Sequence, residues 1–308
     1  MMLRVGIGLG MLVWLYISLG SNILIQAWKK IDIELFFLAI LIQIASYMLG
    51  SFRWWILLKG VGIKITFLKA LSPYYLGLFF NQFLPTGIGG DAVRVYKLYQ
   101  QGYAGAPLAA STMVDRLIGL LALLMLASLA VIFPGAHVVP ATVVTLVSIT
   151  LAALAIGTSL FLFMPFPGWA VAVTARLNAH TIPGRFLKVL RSCRAYKGSS
   201  WLLLGSLLLS FILQSLMILV YIVLTRALGL DIPSTILFIA VPLVFVATTL
   251  PFTIGGLGVR EGALVAVLGL FGVGMVPSGQ LASVYLIALW LSVIPGGWSL
   301  VFRRSGII

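Results

Sequence analysis

Apolar runs close to twenty residues long recur along this chain, and no other feature restricts its folding more. A helix needs about 20 apolar residues to cross the hydrocarbon core of a bilayer. Runs of that kind fall at about 5–27, 35–58, 109–133, 141–164, 201–225, 235–250 and 279–302, with a shorter one at 259–273 and an ambiguous one at 69–84. They are continuous rather than alternating, which excludes a transmembrane β-barrel. Only 8% of the residues are charged, against about 25% in ordinary soluble domains. The expected fold is an all-α polytopic membrane protein, a single integral membrane domain over 1–308 with about eight transmembrane helices. Arg4 precedes the first run, but the run is long for a signal peptide and no small-x-small cleavage pattern follows Gly20. It is therefore read as a retained span.

Charge sets the orientation. The net charge is +14, and Arg176, Arg185, Lys188, Arg191, Arg194 and Lys197 lie between Pro165 and Ser200 without a single acid. By the positive-inside rule this linker is cytoplasmic. Counting outward, the 134–140 and 28–34 loops are external and the 59–108 region is internal. Both termini fall in the cytoplasm of a cell-membrane protein, marked by Arg4 and by Arg303–Arg304. The linker, 165–200, divides halves of approximately 1–164 and 201–308. From Arg185 to Lys197 a cation recurs at every third residue, a period that drifts around an α-helix rather than forming one stripe.

Each half contains the same interruption. Leu84-Pro85-Thr86-Gly87-Ile88-Gly89-Gly90-Asp91-Ala92-Val93-Arg94 aligns without gaps on Leu250-Pro251-Phe252-Thr253-Ile254-Gly255-Gly256-Leu257-Gly258-Val259-Arg260, with seven of eleven positions identical. Paired Gly/Pro breaks in corresponding halves are the sequence mark of internally repeated transporters, and they point to the binding site. Pro removes a backbone donor and Gly-Gly discourages helix. Open backbone at membrane depth survives only where protein or a water-filled cavity covers it. Ser72-Pro73 precedes Pro85 by few residues, so the first break reads as a re-entrant half-helix. If the repeat is inverted, the two breaks meet near the midplane.

The breaks carry the candidate site. Gly89, Gly90, Gly255 and Gly256 expose backbone N–H groups ahead of helix N-termini, which attract anions. Arg94 and Arg260 offer guanidinium forks that fit phosphate or carboxylate. An arginine at a helix centre in lipid costs roughly 2.5–3.5 kcal/mol, so its retention points to a task. The chain has six acids. Asp91 lies three residues before Arg94, Glu261 adjoins Arg260, and Asp115 adjoins Arg116 at a span start, so these pairs either orient the arginines or neutralise themselves. Asn81 either bonds a headgroup or caps the break. Arg53-Trp54-Trp55 reads as an interfacial aromatic belt with a snorkelling arginine, and Trp290 and Trp298 read the same way.

On these residues the chain resembles the transmembrane, flippase-like region of lysylphosphatidylglycerol synthases, which also occurs alone. The resemblance rests on Arg53-Trp54-Trp55 with Leu58, Asn81-Gln82-Phe83-Leu84-Pro85 running into Gly89-Gly90-Asp91 and Arg94, and Asp115-Arg116. Leu250-Pro251 through Gly255-Gly256-Leu257-Gly258-Val259-Arg260-Glu261-Gly262 completes it. It implies a domain that moves amphiphilic lipids between leaflets. No synthase domain follows Arg304, so the resemblance does not name the cargo.

The expected function is binding and translocation of an anionic or zwitterionic lipid without a cofactor, with membrane lipids as partners. One rival is a membrane-embedded partner of a lipid-modifying enzyme. Another is a polyprenyl-phosphate-dependent glycosyltransferase using Asp32 and Glu34. Cys193 is the single cysteine, which leaves no disulfide framework or Cys-based metal site. His137 and His180 lie in loops on opposite faces, and no phosphate-binding loop or His-Glu-x-x-His pattern occurs. Nothing in the charge pattern calls for nucleic acid, and the oligomeric state is not readable.

Overall fold

A computed structural model describes residues 28–82, 89–132, short pieces between 141 and 157, 182–249 and 258–301. The expected first span, most of the run at 141–164 and the first part of the linker lie outside the described residues. So do 83–88 and 250–257, the centres of both breaks, with Gly255 and Gly256 among them.

The described residues form nine α-helices. They are α1 Ile33–Gly60, α2 Phe67–Asn81, α3 Gly89–Tyr99, α4 Gly105–Ile132, α5 Ile182–Cys193, α6 Ser200–Ala227, α7 Ser234–Thr249, α8 Val259–Leu270 and α9 Met275–Val301. Four of them are long and apolar enough to cross a membrane: α1, α4, α6 and α9. The 28 residues of α1 extend about 42 Å at 1.5 Å per residue. Asp32 starts α1 by accepting, through Oδ1, the N–H groups of Glu34 at 3.0 Å and Leu35 at 3.1 Å. An N-cap of this kind contributes about 1 kcal/mol.

The helices come in two matching sets. A long helix, a half-length helix, a short helix and a second long helix occur in that order as α1–α4 and again as α6–α9. Ile33 and Ser200 are 167 residues apart, as are Phe67 and Ser234; Gly89 and Val259 are 170 apart, as are Gly105 and Met275. The packing follows the same exchange. α1 runs along its counterpart α6, α2 packs on α3 and α9, and α7 packs on α8 and α4. The long helices α4 and α9 each touch both α1 and α6. Exchanging the two sets reproduces this network, so the molecule has pseudo-twofold organisation and each set closes the open side of the other.

Two glycine contacts hold the site in place. A Cβ on Gly77 of α2 would stand 2.6 Å from the carbonyl oxygen of Gly90 on α3, so these helices cross backbone to backbone. Gly296 of α9 meets the Tyr75 carbonyl of α2 in the same manner. Any side chain at either crossing would push the helices apart.

The linker departs from the expected drift of its cations. After α5 the chain tightens into a 3₁₀ helix, Arg194–Gly198, with three residues per turn. Lys188, Arg191, Arg194 and Lys197 are all exposed, while Cys193 and Tyr196 are buried. Only Arg194 and Lys197 fall on the 3₁₀ segment, where a three-residue spacing stays in register, while Lys188 and Arg191 lie on the α-helix. The Tyr196 hydroxyl donates to the Leu57 carbonyl at 2.7 Å, fastening the linker to α1.

Candidate functional site

The first set builds a buried network of five charges. Asp115 of α4 accepts from Arg53 Nε of α1 at 2.8 Å and from Arg94 Nη2 of α3 at 3.1 Å. Arg94 Nη2 also reaches Asp91 Oδ1 at 2.9 Å, and Asp91 pairs through its other oxygen with Arg116 Nε. Arg53 donates further to Ser210 Oγ of α6 at 2.6 Å. The Arg94 guanidinium lies 4.7 Å above the Trp54 ring and 5.1 Å from that of Tyr74, within the range of a cation–π contact. Three guanidinium groups face two carboxylates, leaving one positive charge.

These residues surround a cavity of about 240 Å³ between α1, α2, α3, α4, α6 and α7, whose remaining wall is largely apolar, with Leu78, Leu120, Leu123, Met217 and Phe245, and adds the polar Asn81 and Thr248. Gln214 of α6 closes one side by donating to the Gly119 carbonyl at 3.1 Å. Arg94 is only 3% exposed, and its Nε has no hydrogen-bond partner. The Arg116 side chain is 32% exposed and forms the accessible edge.

Several sequence expectations change here. Asp115 and Arg116 do not neutralise each other, because adjacent helical side chains point about 100° apart. The pairing is crossed, Asp115 with Arg53 and Arg94, and Arg116 with Asp91. Arg53 is not a snorkelling interfacial residue: it is 5% exposed, and Trp54 is fully buried beneath Arg94. Only Trp55 keeps an interfacial character, with Nε1 donating to the Ile65 carbonyl and Lys59 Nζ over its ring. Trp290 is 45% exposed, in keeping with the belt, and the Trp298 side chain lies outside the described residues. Asn81 caps α3 by accepting the Gly90 N–H at 2.8 Å, so that N–H is not free for an anion. Gly89 opens the same helix.

The second site is built differently. Arg260 Nε and Nη2 both donate to Glu261 Oε1, at 3.1 and 2.8 Å, while Glu261 Oε2 accepts the Gly258 N–H at 2.7 Å. The N-terminus of α8 is thereby capped by the chain itself. The guanidinium sits 5.3 Å from the Tyr285 ring, which stacks on Tyr221 at 4.2 Å. This site is neutral, and both charged residues are buried. Asp32 and Glu34, the alternative acidic pair, stand at the start of α1, where Asp32 serves as its cap. No group of three or more metal-ligating side chains occurs among the described residues.

Sequence reasoning missed Arg53, Ser210 and Gln214. Ser206, Ser210 and Gln214 recur at four-residue intervals on an otherwise apolar helix, a polar stripe that marks a face turned to protein rather than lipid.

Fold and site together define a polytopic α-helical membrane protein made of two four-helix sets around a buried, net-positive cavity. The chain belongs to the family described as the lysylphosphatidylglycerol synthase TM region, which matches residues 1–296. It is similar to the UPF0104 membrane protein PH1989 of Pyrococcus horikoshii, with 27% identity over 117 residues, 37% of this chain and 35% of that protein. The match thus spans about a third of that relative's length. No solved structure matches the chain.

Proposed function

We propose that this protein binds the headgroup of an anionic amphiphilic lipid in the Arg53–Arg94–Arg116 cavity and carries it between leaflets. The observation that supports this most is a positive charge in excess, carried by the part-exposed Arg116 at the edge of a cavity among helices of membrane-spanning length. A network evolved only to fold would be expected to balance its charges, since buried ions are costly unless paired. Here Arg116 stands at the accessible edge and Arg94 Nε keeps an unused donor, which a phosphate oxygen would complete. A zwitterionic headgroup fits the same frame, its cation facing Asp91.

The topology that goes with this reading has six full crossings, at 5–27, α1, α4, 141–164, α6 and α9. α2–α3 and α7–α8 are two re-entrant pairs entering from opposite faces. At 1.5 Å per residue, the 16 residues of α7 reach about 24 Å, short of a roughly 30 Å hydrocarbon core. Both termini then lie in the cytoplasm, and the repeat is inverted, because two crossings lie between α1 and α6, so the two run in opposite directions.

The test is transport in liposomes carrying fluorescent phosphatidylglycerol, read as the rate at which the label reaches the other leaflet. Wild type should accelerate the exchange, and Arg116→Ala should slow it about tenfold, the loss of roughly one charge-assisted contact. Wild-type rates in Arg116→Ala and in Arg94→Lys would remove the headgroup role of this cavity.

A further inference from the structure

A second feature continues the headgroup cavity. Between α3 and α4 runs a groove of about 760 Å³, large within the roughly 300–1,000 Å³ range of small-ligand sites. Val95, Tyr96 and Tyr99 line it from α3, and Ala109, Met113 and Leu117 from α4. These positions fall at three- and four-residue spacing, so two apolar stripes face each other along one outer side of the hairpin. Asp91, Arg116 and Leu120 line both the groove and the cavity, so the two spaces meet at the Arg116–Asp91 pair. Ala109 to Leu120 covers about 16 Å along α4 at 1.5 Å per residue. Tyr96 and Tyr99 are 59% and 58% exposed, so the groove is open on its outer side.

We infer that this groove holds a hydrocarbon chain of the lipid whose headgroup occupies the cavity, which deepens the reading given under Proposed function and rests on it. Three observations select this occupant. The groove is mostly apolar and ends at the net-positive Arg53–Arg94–Arg116 cluster, which is the charge layout of an anionic amphiphile. It flanks a helix of membrane-spanning length, so hydrocarbon is its natural surroundings. It opens laterally, so a chain can enter from the bilayer without leaving an apolar medium. The inference adds a second recognition element: chain length and bulk should matter, as well as headgroup charge.

The experiment uses the full chain in nanodiscs with phosphatidylglycerol bearing a photoactivatable diazirine in one acyl chain, and labelled peptides are mapped by mass spectrometry. Labelling should concentrate on Val95–Tyr99 and Ala109–Leu117. In Ala92→Trp and Ala109→Trp, at partly or fully exposed positions, it should fall about tenfold, within what overfilling an apolar site costs. Binding of glycerol phosphate, which has the headgroup but no chain, should be unchanged in both. Labelling centred elsewhere, such as the α6–α7 surface at Phe211 and Phe238, and unmoved by either tryptophan would overturn the groove while leaving the headgroup site standing. Cross-linked dimers through α3 would also overturn it, by assigning the surface to a second copy. Groove labelling that ignores headgroup charge and survives Arg116→Ala would instead count against the headgroup site.

Discussion

Arg94 and Arg260 occupy the same place in the two sets of helices, yet their surroundings have diverged. Arg94 is shared between Asp91 and Asp115 and joins a network with Arg53 and Arg116. Arg260 is satisfied by its own neighbour, Glu261. The cause lies in what faces each guanidinium. Arg94 meets a second carboxylate, Asp115 of α4, which also holds Arg53, whereas Arg260 meets the Tyr285 ring of α9. The first set therefore carries excess charge beside a cavity, and the second is neutral and packed. A duplicated scaffold has placed its chemistry in one copy and its rigidity in the other.

The largest expected effect separates the two carboxylates. Asp115→Ala strands the buried Arg53 guanidinium and takes from Arg94 one of its two carboxylates, so it should cost about 3–5 kcal/mol, seen as a lowered unfolding temperature in nanodiscs. Glu261→Ala strands one and should cost less; equal losses would break the comparison. Next come charge-preserving changes. Arg94→Lys should reduce lipid transport about tenfold, because an ammonium loses both the planar stacking over Trp54 and the spare Nε donor. Arg260→Lys should leave the rate within about threefold, as a single carboxylate accepts a point charge. A larger loss for Arg260→Lys would move the site to the second set.

Smaller effects test the frame. Gly90→Ala drives a methyl into the Gly77 carbonyl and should destabilise by about 1–3 kcal/mol. Gly205→Ala on α6 meets nothing within 4 Å and should be neutral or stabilise by up to about 1 kcal/mol. Thermal unfolding of the two variants side by side reads the difference. Last, burial pushes the Cys193 thiol up to about 12. The thiolate is the reactive form, so maleimide should leave Cys193 unlabelled at pH 7–9, with reactivity rising only as pH approaches 12. Ready labelling at neutral pH would mean that the linker separates from α1 and α4.

Most of the helices were legible in the sequence because an apolar run at membrane length admits few alternatives. α4, α6 and α9 lie within a few residues of the runs that forecast them. The repeat was legible from one eleven-residue match, though its extension to four helices needed their packing. The site was only half legible. Asp91, Arg94, Asp115 and Arg116 were named, and Asp91 does pair with Arg94 as its spacing suggested. The cross-helix partners of Asp115 and Arg116 were not foreseen, because sequence adjacency pointed each to the other instead. Arg53 was misassigned since Arg-Trp-Trp near a span end has an ordinary interfacial reading. The missing clue was complementarity: a lone cation in one span and a lone acid in another, each too costly in lipid without the other. Ser210 and Gln214 carry no charge and were lost among leucines.

The cavity's walls also impose a schedule on synthesis. Arg53, Arg94 and Asp115 belong to helices complete by Ile132, but Ser210, Gln214 and Phe245, which close the remaining side, are encoded later. At about 5–20 residues per second, the interval from 132 to 245 lasts on the order of ten seconds. For that time the first four helices sit in the membrane with an unfinished polar flank turned toward lipid or the insertion machinery. The salt-bridged ring formed by α1, α3 and α4 alone is what makes the wait tolerable, since it neutralises most of its charge before the second half is made. Variants that weaken this ring should therefore reach the membrane in lower yield than variants of the second set, in addition to any defect in the finished protein.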